Sequence, residues 1–252
     1  MWTDRQAIEI FHLQFLRAFG ARVDKALFAL KGGCNLRFYH RSIRYSEDMD
    51  LDIRTMAVAT LRSNVDTVLE AESFRRSLRA QQLEVTQVSK PKQTQTTQRW
   101  KIGLRLAEQP TTVPTKIEFS RRTLDDGIAL APVEPELIHR YRLYPVLVQH
   151  YDAAAAFSQK ILALALRSEI QARDVFDLKL LADAGAVRTP LTKPQSELLP
   201  RAIENAMSIS FDDFSGQVVA FLEPEHQKDY RARAAWETLQ EQVVDTLRDL
   251  QP

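Results

Sequence analysis

Residues 30–53 read LKGGCNLRFYHRSIRYSEDMDLDI, and the second half of that stretch decides how the rest of the chain is read. From 44 to 53 the residues alternate with period two: Arg44, Ser46, Asp48, Asp50 and Asp52 share one face, and Tyr45, Glu47, Met49, Leu51 and Ile53 the other. The pattern predicts a strand with three carboxylates along one side. Like charges placed this way repel one another, so the arrangement gains little unless a cation neutralises it. Asp48 and Asp50 would stand about 7 Å apart along the strand, close enough for their side chains to converge on one or two ions. Hard oxygen donors with no histidine beside them suit Mg2+, which commonly takes one or two carboxylates together with nucleotide phosphates. Asp52 lies one step further, where support of the surface is as good a reading as ligation. Arg44 and Ser46 could steady the pair through hydrogen bonds.

Just upstream, Gly32 and Gly33 are adjacent in a chain with only seven glycines. They follow the apolar run 26–30, and such a pair lets backbone amides approach a phosphate closely where a strand turns into a helix. A phosphate cradle next to a metal strand points to a nucleoside triphosphate as substrate. Cys34 comes next, and a thiol is a weak donor to phosphate, so the backbone amides or Asn35 would carry that contact. Cys34 reads equally well as a small buried apolar residue.

Further out, the 252 residues are 44% hydrophobic and 27% charged, an ordinary globular composition long enough for one large domain or two modest ones. No run of apolar residues is long enough to span a membrane, and the amino terminus lacks the plan of a signal peptide, so a cytoplasmic protein without membrane contact is expected. The lone cysteine agrees with a reducing compartment. The net charge is only +1, yet residues 88–122 hold eight basic side chains against Glu108 and Glu118. A basic block in a neutral protein suggests an anionic partner.

Taken in order, Thr3 and Gln6 form a capping box for a helix over 4–19 that Gly20 ends. Helical periodicity returns over 57–82, as one helix or a broken pair. From Leu83 the period is two again, predicting an antiparallel meander over 83–85, 100–106 and 113–119, with polar connections at 89–97 and 108–112. On its third strand Lys116, Glu118 and Ser120 face away from Ile117 and Phe119. The Pro-rich passage 132–145 marks a boundary, after which the chain is helical. Tyr144 to Tyr151 could form a short strand. Asp152 caps a helix to about Arg167, Gly185 closes another that begins near Arg173, and further helices lie near 195–207, 212–222 and 227–250.

LKGGCNLRFYH followed by RYSEDMDLDI resembles the core of the AbiEii/AbiGii toxin group of nucleotidyltransferases, relatives of the MenT toxins. Their usual pattern is KGG(T/S)xL and then R(F/Y)SxDxD, so Cys34 departs from it where a hydroxyl is usual. The resemblance touches separated points between residues 27 and 182. It implies an α+β fold: an amino-terminal nucleotidyltransferase domain over 1–130, a mixed sheet with flanking helices, and an all-helical domain over 131–252 that closes over the nucleotide. It also implies Mg2+-dependent transfer of a nucleoside monophosphate from an NTP to an acceptor hydroxyl, with tRNA as the acceptor and an antitoxin as protein partner.

Candidate residues follow from the pattern and the resemblance together. Asp48, Asp50 and Glu118 are the metal and catalytic carboxylates, Glu118 being the best placed third acid among the later strand residues. Gly32, Gly33, Cys34 and Ser46 fall on the nucleotide. Lys160 could be a lysine that merely extends from a packed helix, but the resemblance implies a charge on the triphosphate. Asp174 and Asp177 suit the first turn of a helix on electrostatic grounds alone, and the resemblance makes one of them a site residue. Arg99, Lys101 and Arg105 share the polar face of their strand and are the candidate acceptor contacts. A protein or small-molecule acceptor, or a binding module that retains the fold without turnover, remains open at this point.

Overall fold

The computed structural model describes residues 2–107, 109–122 and 127–251, apart from the side chain of Arg188. Glu108, one of the two acids of the basic block, lies outside the described residues. Strands β1 (Phe28–Lys31), β2 (Asp48–Ile53), β3 (Leu83–Gln93), β4 (Thr97–Leu106), β5 (Thr112–Arg121), β6 (Ile128–Pro132) and β7 (Leu147–Tyr151) form a seven-stranded sheet in the order β3-β4-β5-β2-β1-β7-β6. The β2–β5 and β1–β7 pairs are parallel and the remaining pairs antiparallel, giving a mixed sheet.

Alternation sorts the two faces. Met49, Leu51 and Ile53 on β2, Ile117 and Phe119 on β5, and Trp100, Ile102 and Leu104 on β4 are buried. Helices α1 (Asp4–Arg22), α2 (Gly32–Tyr39), α3 (Val58–Glu70) and α4 (Glu72–Arg79) flank the sheet. In α1 the rings of Phe11, Phe15 and Phe19 follow one another at four-residue spacing. Phe19 meets Phe28 and Phe119 of the sheet at ring separations of 5.0 and 5.3 Å. Each such buried ring contributes about 1.5–3 kcal/mol relative to exposure. Gly20 does not end α1, as its sequence suggested; it lets the helix approach β7, because a Cβ there would stand 3.2 Å from Val148 Cγ1.

Three boundaries differ from expectation. First, β2 begins at Asp48 rather than 44, so Arg44 and Ser46 precede the strand. Second, β3 continues to Gln93 through part of the expected connection, with register shifts between Val85 and Gln87 and between Ser89 and Lys92 that break the period-two signal. Third, the chain divides into two compact units, Met1–Tyr39 with Tyr45–Tyr151 and His40–Arg44 with Asp152–Pro252, not near residue 130. The Pro-rich passage contains a short helix, α5 (Pro135–Arg140), flanked by β6 and β7. Those strands pair with each other, and β7 also pairs with β1, so all of this belongs to the sheet.

The second unit is helical: α6 (Ala153–Leu166), α7 (Ala172–Asp183), α8 (Lys193–Ser196), α9 (Leu199–Ser208), α10 (Phe211–Gln217), α11 (Pro224–Tyr230) and α12 (Arg233–Asp249), plus an isolated bridge between Arg44 and Leu222. The break after α7 is made by Gly185 at φ 84°, a left-handed conformation that glycine adopts without strain. Phe176, Phe214, Tyr230 and Trp236 form its aromatic centre, Phe214 and Trp236 stacking at 4.5 Å. Among the described residues no helix is long and apolar enough to cross a membrane.

Candidate active site

The polar face of the sheet carries the charges in cross-strand rows. Read across the register, one row runs Asp48, Lys116, Lys101 and the next Lys31, Asp50, Glu118, Arg99. Asp48, Asp50 and Glu118 are thereby brought together, as their positions in sequence predict. Lys116 Nζ lies 2.7 Å from Asp48 Oδ2, and Arg99 pairs with Glu118. Asp50 forms no ion pair among the described residues. Burial pushes its carboxyl above the ordinary carboxylate range; Lys31 and Lys116 pull it down, and Asp48 and Glu118 push it further up.

Carboxylate oxygens are the hard donors that Mg2+ takes, and the acids accumulate negative charge at Asp50 that a divalent ion would relieve. The donor chemistry therefore fits such an ion, with Lys116 and Arg99 paired to two of the three acids. Three ligand atoms gather within 4.8 Å only at Glu223, Glu225 and His226, among the described residues. Those lie in the second unit, and side-chain proximity alone is common without a metal.

Asp48 is fixed from behind. Its carbonyl accepts from Ser46 Oγ at 2.9 Å and from Cys34 Sγ at 3.2 Å. Cys34 is buried, and its sulfur also lies 3.4 Å from His12 Nδ1. Thr115 Oγ1 donates to the Glu47 carbonyl and accepts from His12 Nε2 at 2.9 Å. Because the threonine proton is used at Glu47, His12 carries its proton on Nε2. Burial lowers His12 to about 3, so the ring is neutral, and burial likewise raises the Cys34 thiol. Cys34 and Ser46, read from sequence as nucleotide contacts, here hold the backbone of a candidate metal ligand.

Gly32 and Gly33 open α2 directly after β1, the strand-to-helix turn that their sequence predicts. Gly32 has φ 66°, and a Cβ there would stand 3.1 Å from Asp50 Oδ2. The glycine thus keeps the backbone at the helix start close against the carboxylate. Asp52 is buried, pairs with Lys31, and accepts from Tyr151 Oη at 2.9 Å. That is a supporting position.

Lys160, Asp174 and Asp177 cluster inside the second unit. Lys160 Nζ is buried and lies 2.8 Å from Asp174 Oδ1 and 2.6 Å from Asp177 Oδ2. Arg44, expected on the metal strand, instead grips Asp177 through both carboxylate oxygens at 3.0–3.1 Å. Asp177 is pushed up by burial but pulled further down by Arg44 and Lys160, ending below the ordinary carboxylate range. Among the described residues Asp174 Oδ2 has no hydrogen bond and only a 3.5 Å ion pair to Arg167. Of the two acids, Asp177 is fully engaged and Asp174 retains an acceptor.

Arg99, Lys101 and Arg105 share the polar face of β4, since Trp100, Ile102 and Leu104 are buried. They are not equivalent: Arg99 pairs with Glu118, Arg105 with Glu84, and Lys101 is exposed without an ion pair among the described residues. Sequence reasoning gave no site role to His12, Lys31, Thr115 or Lys116, although Lys31 stands in the KGG pattern, Lys116 on the polar face with Glu118, and His12 within the apolar stripe of α1. Their partners become visible only through cross-strand register and packing.

The family described as nucleotidyl transferase AbiEii toxin of type IV toxin–antitoxin systems matches residues 14–251. Among solved structures, JHP933 from Helicobacter pylori is similar at a TM-score of 0.58 and 16% identity, over 97% of this chain and 94% of that one. A second H. pylori protein, assigned as a candidate nucleotidyltransferase, is similar at 0.59 and 15% identity over 98% of each chain. At such identities the two structures share the fold. No curated protein matches by sequence.

Proposed function

Because the chain belongs to the AbiEii family of nucleotidyl transferase toxins of type IV toxin–antitoxin systems, we propose that it transfers a nucleoside monophosphate from a triphosphate to an acceptor hydroxyl, that of tRNA. The observation that carries the reading is the registered trio of Asp48, Asp50 and Glu118 with the Gly32 backbone held against Asp50. In the reaction the hydroxyl oxygen bonds to the α-phosphorus, the bond to the bridging oxygen breaks, and pyrophosphate leaves. Glu118 completes the carboxylate set or takes the hydroxyl proton. Asp48, Asp50 and Glu118 are the residues that would hold Mg2+, whose chemistry there is neutralisation of charge on the phosphoryl oxygens. Amides of Gly32 and Gly33 receive phosphate oxygens at the start of α2. Lys160, oriented by Asp174 and Asp177, supplies positive charge to the triphosphate, and Lys101 leads the basic strand toward the acceptor. An antitoxin protein partner and a cytoplasmic setting go with this reading.

The test is direct. The purified protein is incubated with each labelled triphosphate, Mg2+ and total cellular RNA, and the labelled species are separated. Label on tRNA, absent with Asp50→Asn, is the expected result. Label on protein or on a small molecule, with RNA unlabelled, would replace the tRNA acceptor with that species. No label on any acceptor with any triphosphate would favour a binding module without turnover.

A further inference from the structure

Each outer carboxylate of the candidate metal site already has a cation: Lys116 on Asp48 and Arg99 on Glu118, with Asp50 between them making no ion pair among the described residues. These pairs are more exposed than the buried pairs Lys31–Asp52 and Arg44–Asp177. Lys116 and Asp48 are both 31% exposed, Arg99 33% and Glu118 19%, whereas the side chains of those two pairs are 16% exposed or less. Partly exposed pairs between long flexible side chains contribute little and exchange readily, while breaking a buried pair strands a charge. Each cation covers one oxygen of its carboxylate, Asp48 Oδ2 and Glu118 Oε2, and neutralises charge that a divalent ion would otherwise neutralise.

We infer that Lys116 and Arg99 are resident counter-ions of the carboxylate site, displaced when a divalent ion binds and thereby released to take phosphates of the RNA backbone. This rests on the metal reading given above. It makes Lys116, which the sequence placed only in the basic block and on the polar face of its strand, a phosphate-binding residue. The geometry favours RNA over the triphosphate as the receiver. Lys116 is the cross-strand partner of exposed Lys101, and Arg99 sits on the same strand as Lys101, so the released cations extend one basic row. Metal and RNA would then bind cooperatively, each raising affinity for the other by the same factor.

The experiment compares wild type, Lys116→Met, Arg99→Met and the double variant in the absence of triphosphate, so no turnover enters. Mn2+ binding is measured by calorimetry, and binding of a tRNA transcript by fluorescence against salt, with and without Mn2+. Displacement predicts roughly two- to fivefold tighter Mn2+ binding in each single variant, because no ion pair has to be broken. It also predicts that Mn2+ steepens the wild-type salt slope by about 0.7–0.9 for each released cation, a change absent from the double variant. Unchanged or weaker Mn2+ binding in the variants, or a wild-type salt slope indifferent to Mn2+, would overturn the inference while leaving the metal reading intact. If, in a separate titration with a non-hydrolysable triphosphate and no RNA, Mn2+ strengthens nucleotide binding through Lys116 while leaving tRNA binding unchanged, the receiver is the nucleotide and the RNA assignment falls. Wild-type protein that binds no Mn2+ sensitive to Asp50→Asn would remove the metal reading and this inference together.

Discussion

Asp50 and Glu118 are cross-strand partners in the parallel pair β2–β5, on the face opposite the apolar core. Asp48 lies two residues before Asp50, so three acids from two strands occupy one patch, and burial, partly offset by Lys31 and Lys116, raises the Asp50 carboxyl above its ordinary range. Replacing Asp50 with Asn keeps the shape and removes that charge. Transfer should fall by roughly a thousandfold or more, while thermal stability without metal should hold or rise. A folded Asp50→Asn protein with near-normal transfer would end its assignment to the site.

Gly32 couples the cradle to the carboxylates through its backbone conformation. Ala at this position would place a Cβ 3.1 Å from Asp50 Oδ2 and force an L residue to φ 66°. The left-handed conformation costs about 1–2 kcal/mol, and the added methyl intrudes where phosphate would approach. Gly32→Ala should therefore lower the denaturation midpoint modestly and weaken triphosphate binding strongly. Gly216, whose Cβ would meet nothing within 4 Å, provides the control: Gly216→Ala should leave binding unchanged.

The ion cluster of the second unit predicts a stability effect with a defined pH dependence. Removing Asp177 leaves Arg44 and Lys160 buried with less compensation, which should cost about 3–5 kcal/mol at neutral pH. Its carboxyl is depressed in the folded state below the ordinary value of 3.8. Its contribution is therefore fully present above 3.8 and lost as pH falls through the lower folded value. Urea unfolding of wild type and Asp177→Asn should differ most at neutral pH and converge below 3.8. A constant difference across that range would mean that the ion pairs are not what Asp177 contributes.

His12 acts in the same direction over a higher pH window. The buried ring is lowered to about 3 from 6.5, so the unfolded chain takes up a proton that the folded chain refuses. The resulting stability is complete above 6.5 and declines as pH falls toward 3, with a slope of up to about 1.4 kcal/mol per pH unit. Gln can present an amide to Thr115 without titrating. His12→Gln should flatten the wild-type loss of stability between pH 6 and 4, and an unchanged slope would show that other groups set acid sensitivity.

Much of this arrangement was legible because β-strands impose period two. The faces of β2, β4 and β5 could be assigned residue by residue from Met49, Leu51, Trp100, Ile102, Ile117 and Phe119. What could not be read were partners set by register between distant segments. Lys116 beside Asp48 and Lys31 beside Asp52 depend on the β2–β5 and β1–β2 alignments, which leave no trace in local spacing. Arg44 misled for a related reason. Its place in the alternating run suggested the metal strand, but the strand starts at Asp48, and Arg44 belongs with Asp177 in the second unit. The bulged β3 was likewise cut short, since each register shift erases the alternation that announces a strand.

Among the three basic residues of β4, Lys101 offers the cleanest test of an RNA acceptor. Reversing Arg99 or Arg105 to Glu would set an acid against Glu118 or Glu84, so lost labelling could report damage to the carboxylate patch or the sheet edge. Lys101 is exposed and makes no ion pair among the described residues, and its cross-strand partner is Lys116. Lys101→Gln removes one charge without recruiting Lys116, so stability should stay within about 0.5 kcal/mol of wild type. If Lys101 meets one phosphate, the slope of log affinity for tRNA against log salt should flatten by about 0.7–0.9. Labelling at limiting tRNA should fall in step, with triphosphate affinity unchanged. A solvated lysine predicts neither change. An unaltered slope with unaltered labelling would move the acceptor off β4 and bring the protein or small-molecule acceptor forward.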